Sequence, residues 1–192
     1  RRQRQMCIRD SISDEEINTV VICSPTNQHA ENIIAAAQAG KDVFCEKPMD
    51  LSIQTAKKVL QIVEETGIKF MLGFNRRFDP NFMKIKSLID EGKVGEPQIV
   101  KITSRDPAPP PIDYVKSSGG MFLDMTIHDF DMARFMVSGK VVSIFAIGRN
   151  LIDYNIGIAG DIDTAVVTIT FDSGAIVNID NSRRAVYGYD QR

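Results

Sequence analysis

The sequence is short of the residues and patterns that mark several functional classes. Its 192 residues contain only two histidines and three cysteines, and Cys7, Cys23 and Cys45 lack the spacing of metal ligands. A net charge of −2 gives no sign of the basic surface that binds nucleic acid. No apolar run approaches the roughly 18 residues that cross a membrane. These absences predict a reduced, cytoplasmic protein that binds neither nucleic acid nor membrane.

The first thirteen residues differ from the rest of the chain. They carry four arginines and one aspartate with no helical or strand period, and they have no apolar run long enough for a signal peptide. We expect residues 1–13 to be foreign to the fold or disordered. A basic arm for an acidic partner is the functional alternative.

Residues 14–78 alternate short apolar runs with amphipathic segments. The pattern predicts strands at residues 20–23, 43–45 and 69–74 and helices at residues 27–39 and 53–66. Ser52 is a suitable N-cap for the second helix, and Gly67 is suited to end it. Strands that alternate with helices over short connections predict an α/β fold, here part of a Rossmann domain, in which a doubly wound parallel sheet binds dinucleotides.

The region from residue 79 to 192 predicts a different, α+β domain. A helix is expected at residues 81–90, and strands are expected at residues 98–104, 141–147, 164–171 and 175–181. Asp172, Ser173 and Gly174 form a turn signal between the last two strands, which predicts a hairpin. We therefore expect an open, mostly antiparallel sheet, with the domain boundary near Phe78.

Residues 119–135 read as one buried helix with a polar stripe. Asp124, His128 and Asp131 are spaced i, i+4 and i+7 and would share a face, while Asp129 and Arg134 are expected to face solvent. Burying carboxylates and an imidazole is costly unless they have partners or perform chemistry. Acidic residues that reach solvent or cap neighbouring groups are the structural alternative. A facial set of metal ligands is another, but His29 is the only other histidine.

Two polar segments follow the first two predicted strands. Residues 24–29 begin with Ser24 and Pro25 and lead into a helix, and Glu46, Lys47 and Pro48 follow the second strand. Ligands of open α/β sheets bind beyond the carboxyl ends of the strands. The proline holds Lys47 in an extended conformation, so that its side chain can point towards a ligand. Taken singly, each segment also has a purely structural explanation as a strand stop or a solvated loop.

Taken together, these segments resemble the glucose–fructose oxidoreductase and inositol dehydrogenase (Gfo/Idh/MocA) family over nearly all of residues 14–192. The resemblance rests on Ser24-Pro25 with His29, on Glu46-Lys47-Pro48, on residues 73–79, and on Asp124, His128 and Asp131. Residues 160–165 and 181–190 look most like the inositol 2-dehydrogenase branch.

The resemblance implies an NAD-dependent oxidoreductase, with NADP as the alternative cofactor. It would transfer hydride from a cyclitol or sugar hydroxyl, foremost from myo-inositol to give the 2-keto form. Homo-oligomers are implied, as dimer or tetramer, and no metal is implied. The implied catalytic residues are Lys47, Asp124 and His128; the cofactor-binding residues are Ser24, Pro25, His29, Glu46, Lys47 and Pro48; the substrate contacts are Arg76, Asp106, Asp131 and Tyr187.

Chemistry gives each implied catalytic residue a role. His128 would take the hydroxyl proton at neutral pH, and Lys47 would stabilise charge on the reacting oxygen. Asp124 would bind a substrate hydroxyl and bias the charges of the other two. We expect Lys47 and His128 to converge in space, because both must act on one carbon.

The resemblance also predicts that the chain is a fragment. The family's glycine-rich phosphate-binding turn is missing from the sequence, and with it the acidic residue that would distinguish NAD from NADP. Alone, the fragment is expected to be inactive and poorly soluble. Two alternatives stay open within the family: a dehydrogenase of another sugar, and a non-catalytic sugar-sensing regulator, which would be expected to lack the lysine or the histidine.

Overall fold

A computed structural model describes residues 12–192 of the chain. The prediction for residues 1–13 therefore lies outside the described residues, apart from Ile12 and Ser13, and so does Cys7. The chain divides into two units, one ending at Phe74 and the other spanning Asn75–Arg192. The first unit thus ends a few residues before Phe78, near which the boundary was expected.

The first unit is built on three short parallel strands in the order β1, β2, β3. The strands are β1 (Thr19–Ile22), β2 (Asp42–Glu46) and β3 (Phe70–Gly73), and β1 pairs with β2 so that Ile22 lies opposite Cys45. The connecting helices are α1 (His29–Gln38) and α2 (Ile53–Thr66). This alternation confirms the predicted parallel sheet.

Local signals in the sequence define the ends of α2. The Ser52 side chain accepts a hydrogen bond from the Thr55 backbone N–H, and Gly67 adopts the left-handed conformation at φ 66°. Both features were predicted from residue type, because serine satisfies a free N–H at a helix start and glycine alone enters the left-handed region without strain. The apolar faces of both helices then pack on the strands around Ile33, Val43 and Val59, which are fully or almost fully buried.

The second unit begins with a 3₁₀ turn, Asn75–Phe78, and the helix α3 (Pro80–Asp90). Next come the strand β4 (Ile99–Arg105), the short helix α4 (Ile112–Ser118), a π-helical turn (Phe122–Thr126) and the helix α5 (Ile127–Met136). The remaining elements are β5 (Val141–Arg149), α6 (Tyr154–Ile158), β6 (Thr164–Phe171), β7 (Ile176–Ser182) and β8 (Asp190–Gln191).

These strands form a five-stranded sheet in the order β5, β6, β7, β4, β8. The hairpin predicted at residues 172–174 joins β6 to β7, and β4 and β7 are the parallel pair in an otherwise antiparallel sheet. One face of the sheet buries Val167, Val177 and Ile179 against Met132 and Met136 of α5. The sheet therefore matches the predicted mixed, mostly antiparallel architecture.

The predicted helix over residues 119–135 is not one regular α-helix. Its central part is the π-helical turn, in which hydrogen bonds run from i to i+5 and the backbone is wider than an α-helix. The prediction of one regular α-helix was therefore wrong at residues 122–126, while His128 and Asp131 both lie in the regular α-helix that follows. Within residues 12–192, no helix has the length and apolar character needed to cross a membrane.

Candidate active site

The carboxyl ends of β1 and β2 lie next to each other in the first unit. Their parallel register brings Ser24 and Pro25, just after β1, to the same sheet edge as Lys47 and Pro48, just after β2. Pro25 is exposed and Lys47 is half-buried, and the Lys47–Pro48 peptide bond is cis. This edge is where open α/β sheets bind their ligands.

His29 connects the two segments at this edge. Its ring is buried, with Nδ1 2.7 Å from the Pro48 carbonyl oxygen and Nε2 2.8 Å from the Ser24 carbonyl oxygen. Both ring nitrogens therefore lie against backbone carbonyl oxygens, and a neutral ring donates a hydrogen bond to one of them. His29 thus fixes the shape of the edge and does not present a free ring nitrogen to a ligand.

The residues at this edge fit part of a dinucleotide. Ser24, Pro25, Glu46 and Lys47 are all at least partly exposed, so a polar ligand has access to them. No glycine-rich phosphate turn follows β1, β2 or β3 in the described part of the chain. A dinucleotide bound at this edge would therefore need other contacts for its phosphates.

In the second unit, Asp124 lies in the π-helical turn and both of its carboxylate oxygens accept hydrogen bonds. The Tyr114 hydroxyl donates to Oδ1 at 2.7 Å, and Nη1 of Arg183 donates to Oδ2 at 3.0 Å. The two donors come from α4 and from the segment after β7. Asp124 is thereby held in one orientation by elements distant in sequence.

Asp106 belongs to the same cluster. Its Oδ2 lies 3.6 Å from Nη1 of Arg183, and its backbone N–H donates to the Ser182 carbonyl. Burial raises the pKa of Asp106, the positive charge of Arg183 lowers it, and the nearby Asp124 raises it again. Burial and the hydrogen bond to Asp124 raise the pKa of Tyr114 to about 12, so its hydroxyl remains a donor at neutral pH.

A buried polar network lies beside this cluster, centred on Asp129. The Asp129 carboxylate is 0% exposed and is ion-paired with Arg76. It also accepts hydrogen bonds from the Ser104 hydroxyl at 2.6 Å and from the Asn181 amide at 2.7 Å. The expectation that Asp129 faces solvent was wrong, because helical periodicity does not reveal partners on other elements.

The predicted substrate contacts occupy different surroundings. Arg76 is buried against Asp129. Asp131 forms a bidentate ion pair with Arg77, whose Nη2 and Nε donate to its two carboxylate oxygens at 2.6 and 2.8 Å. Tyr187 is exposed and donates to Asp190 at 2.9 Å. Asp106 therefore clusters with Asp124, whereas Arg76, Asp131 and Tyr187 each engage a different partner.

His128 lies in the first turn of α5, half-buried, immediately after the π-helical turn and one turn beyond Asp124.

Among the residues that the structure describes, no group of three or more histidine, cysteine, aspartate or glutamate side chains is placed to hold a metal ion. The facial metal set considered for Asp124, His128 and Asp131 is thus not formed, and Asp131 instead pairs with Arg77.

Three residues of this region were not identified from the sequence. Tyr114 and Arg183 hold Asp124, and Asp129 anchors the network next to it. Arg183 lies within residues 181–190, which carried part of the resemblance, but nothing in the spacing indicated its contact with Asp124. Tyr114 follows a proline-rich loop that gave no helical signal.

Family models match both parts of the chain. Residues 6–74 match the oxidoreductase family with an NAD-binding Rossmann fold, and residues 82–192 match the GFO/IDH/MocA C-terminal domain. The first match begins inside the segment of residues 1–13 that the sequence analysis set apart.

Individual relatives agree with these matches. A myo-inositol 2-dehydrogenase of Thermotoga maritima is 54% identical over 181 residues, which are 94% of this chain and 54% of the relative. The solved structure of a myo-inositol dehydrogenase from Corynebacterium glutamicum is 42% identical with a TM-score of 0.91, covering 96% of this chain and 55% of that one.

A third relative was solved with ligands. The scyllo-inositol dehydrogenase from Lactobacillus casei, with bound NAD(H) and scyllo-inositol, is 34% identical with a TM-score of 0.87, over 96% of this chain and 56% of that one. The chain spans about half the length of the curated relatives it matches. With a family model on each of its two parts, the chain belongs to the Gfo/Idh/MocA family of oxidoreductases.

Proposed function

We propose that the protein oxidises a cyclitol hydroxyl, foremost that of myo-inositol, to the 2-keto form with NAD. The observation that carries this proposal is the pair formed by Asp124 and His128. A carboxylate fixed by two donors lies one turn before an imidazole, a pairing suited to removing a proton from a hydroxyl group. The names of relatives at 34% to 54% identity support inositol as the substrate.

Each catalytic residue has a separate task in the proposed reaction. His128 accepts the proton of the substrate hydroxyl, a task for which imidazole is suited near neutral pH. Lys47 donates a hydrogen bond to the reacting oxygen and stabilises the charge that develops on it. Asp124 binds a neighbouring hydroxyl and favours the protonated form of His128 once the proton has been transferred. When bound, NAD supplies the hydride acceptor.

Among the proposed substrate contacts, Asp106 has the strongest structural support. Its carboxylate is half-buried and close to Asp124 through Arg183, so it can accept a hydrogen bond from a second hydroxyl of the ring. Asp131, Arg76 and Tyr187 remain proposed contacts. Of these, Arg76 is the weakest, because its side chain is buried against Asp129.

We further propose that a second copy of the protein covers the open face of the large sheet. Opposite residues of antiparallel strands share a face, which places Phe145 and Ile147 of β5 beside Thr168 and Val166 of β6 on the face turned away from α5. Phe145 is 68% exposed there. An apolar sheet face of this kind is typical of a subunit interface.

The cytoplasm is the proposed location, in keeping with the free thiols of Cys23 and Cys45.

The test uses protein expressed from the complete coding region, in which NAD and NADP reduction is followed with myo-inositol, scyllo-inositol and glucose as substrates. We expect the fastest NAD reduction with myo-inositol. Preference for glucose would favour the alternative of a dehydrogenase for another sugar. Binding of sugar without any reduction of cofactor would favour the regulator.

The variants Lys47→Ala and His128→Ala separate chemistry from cofactor binding. A positioned base contributes about 10² to 10⁴ in rate, so we expect turnover to fall by that range while NAD binding, measured by fluorescence titration, stays within a few-fold of the parent protein. Loss of NAD binding with unchanged turnover of the bound fraction would contradict the assigned roles. Lys57→Ala, on α2, is the surface control for removing a lysine.

A further inference from the structure

Arg183 is a buried arginine with an incomplete set of partners. It directly follows β7, and its backbone N–H donates to the Asp163 carbonyl at 2.8 Å. The side chain is only 3% exposed. Arginine is seldom buried to this degree, because removing a guanidinium from water is costly unless paired charges and hydrogen bonds compensate.

A single nitrogen of the Arg183 guanidinium makes the contacts with carboxylates that compensate its burial. Nη1 contacts both Asp124 and Asp106, at 3.0 and 3.6 Å. Nε and Nη2 are buried and find no acceptor among residues 12–192. A side chain kept for stability alone would be expected to satisfy these donors, since each unsatisfied buried donor lowers stability. The arrangement favours a role for the positive charge itself.

We infer that Arg183 is a positioning residue that keeps Asp124 ionised and correctly oriented by compensating the negative charges of Asp124 and Asp106. This inference rests on the proposed function, in which Asp124 binds substrate and supports His128. Without a cation between them, two neighbouring carboxylates share a proton, because like charges at short range disfavour ionisation of both.

Other ionisable groups also lie around the pair. Tyr114 donates to Asp124 as a neutral phenol. Arg76 is ion-paired with Asp129, and its charge lowers the pKa of Asp106 less than the charge of Arg183 does. Burial raises the pKa of the Tyr189 phenol, and the nearby Asp106 carboxylate raises it further. His128 follows one turn after Asp124 and gains a proton during the proposed reaction, so it depends on the same charge. Asp106 responds directly to the guanidinium, since the positive charge of Arg183 lowers its pKa.

Arg183→Met tests the inference, and Arg184→Met is its matched control. Arg184 is the next residue in the chain and is exposed, so its replacement removes the same charge outside the cluster. Arg183→Lys keeps the charge but not the forked donor geometry. All variants are made in protein expressed from the complete coding region.

Two measurements are made on each variant. The first is the pH profile of kcat/KM with myo-inositol, and the second is an infrared titration of the carbonyl stretch of protonated carboxyl groups. For Arg183→Met we expect kcat/KM to fall about 100-fold. The acid limb should move up by about 1 to 3 pH units, the usual effect of a close opposite charge. The infrared band should move by the same amount, and Arg183→Lys should recover part of both losses.

The outcomes separate this inference from the proposed function. If the parent protein oxidises no cyclitol, the proposed function fails and the infrared titration alone decides the inference. An Arg183→Met titration that matches Arg184→Met overturns the inference, even if activity is lost, because the role is then structural. A shifted titration with unchanged kcat/KM also overturns it, because the charge state of the pair would not matter for turnover.

Discussion

Asp129 carries its charge in a position fully removed from solvent, and three side chains donate to it. We predict that Asp129→Asn lowers the free energy of unfolding by about 3 to 5 kcal/mol, because Arg76 would remain buried without its counter-charge. Urea denaturation measures this change.

Asp90→Asn is the control for the Asp129 experiment. Asp90 pairs with Lys86 on the surface of α3, and its side chain is more than half exposed. Exposed pairs of this kind contribute about 0.2 to 1 kcal/mol. Equal losses in the two variants would mean that the network around Asp129 stabilises the fold no more than a surface ion pair does.

Asp163 gives a prediction about pH. Its carboxylate accepts hydrogen bonds from the backbone N–H groups of Leu151, Ile152 and Asp153. Burial raises the pKa of Asp163, but these hydrogen bonds outweigh it, so the pKa lies below its usual value. A lowered folded-state pKa stabilises the fold above the unfolded-state pKa, near 3.9, and the benefit is lost as pH falls through the folded-state pKa.

We therefore expect Asp163→Asn to lower Tm most at pH 5 and above, and the difference from the parent protein to shrink as the pH falls below about 4. Thermal unfolding followed by circular dichroism at several pH values measures this. Asp113→Asn, at an exposed position in α4, should show no such trend. A Tm difference that is constant with pH would show that the hydrogen bonds to Asp163 do not depend on its charge.

At the residue scale, the sequence shows which side chains are polar or charged but not which side chains they contact in the fold. The Asp124–His128 spacing marked a polar site in a largely apolar segment, and this segment does hold the carboxylate cluster. The contacts of Asp124 with Arg183 and of Asp129 with Asn181 join residues more than fifty positions apart. Periodicity is a local property, so no helical or strand pattern contains this information.

Among the secondary-structure elements, the π-helical turn has the largest effect on the site. It carries Asp124 and lies between α4 and α5, which supply or support the neighbouring groups. The residue spacing predicts a continuous α-helix there, because Phe122, Leu123 and Met125 suit either geometry. Such turns often mark functional sites and contain one residue more than the matching α-helical turn.

We predict that deleting Leu123 converts the π-helical turn into α-helix and rotates Asp124 by about 100° away from Tyr114 and Arg183. Helical content measured by far-ultraviolet circular dichroism should be preserved, and kcat should fall at least about 100-fold. Leu123→Ala is the control, since it changes the side chain without changing the register. Full activity of the deletion variant would show that the π geometry does not position Asp124.

The longer elements were predicted well, and the short ones were missed. α2 has a cap, an apolar face and a glycine stop, so its bounds follow from local chemistry. α6 has only five residues, and β8 has two. Segments this short contain too few residues to show a period, and tertiary contacts determine their structure.

For the whole molecule, the open sheet face gives the clearest prediction. Phe145→Glu places a charge within the proposed interface between copies, and we expect it to shift the protein towards smaller species in analytical ultracentrifugation. Ile144→Glu is the matched control, because Ile144 is also exposed but points to the opposite face of β5. Dissociation by the control alone would place the interface on the other face.

The sequence predicted two folding patterns and a boundary near Phe78, whereas the first unit ends at Phe74. The 3₁₀ turn Asn75–Phe78 lies in the second unit, where Arg76 and Arg77 pair with Asp129 and Asp131 of α5. A composition change along the chain locates a boundary only to within a few residues.

The parallel pairing of β4 with β7 has a consequence for the order of events during synthesis. β4 leaves the ribosome long before β7, because α4, α5, β5 and β6 are made between them. At about 5 to 20 residues per second, the seventy residues between Arg105 and Ile176 take several seconds or longer. Throughout that time Ile102 and the rest of β4 lack the neighbouring strand β7, which leaves β4 open to chaperone binding.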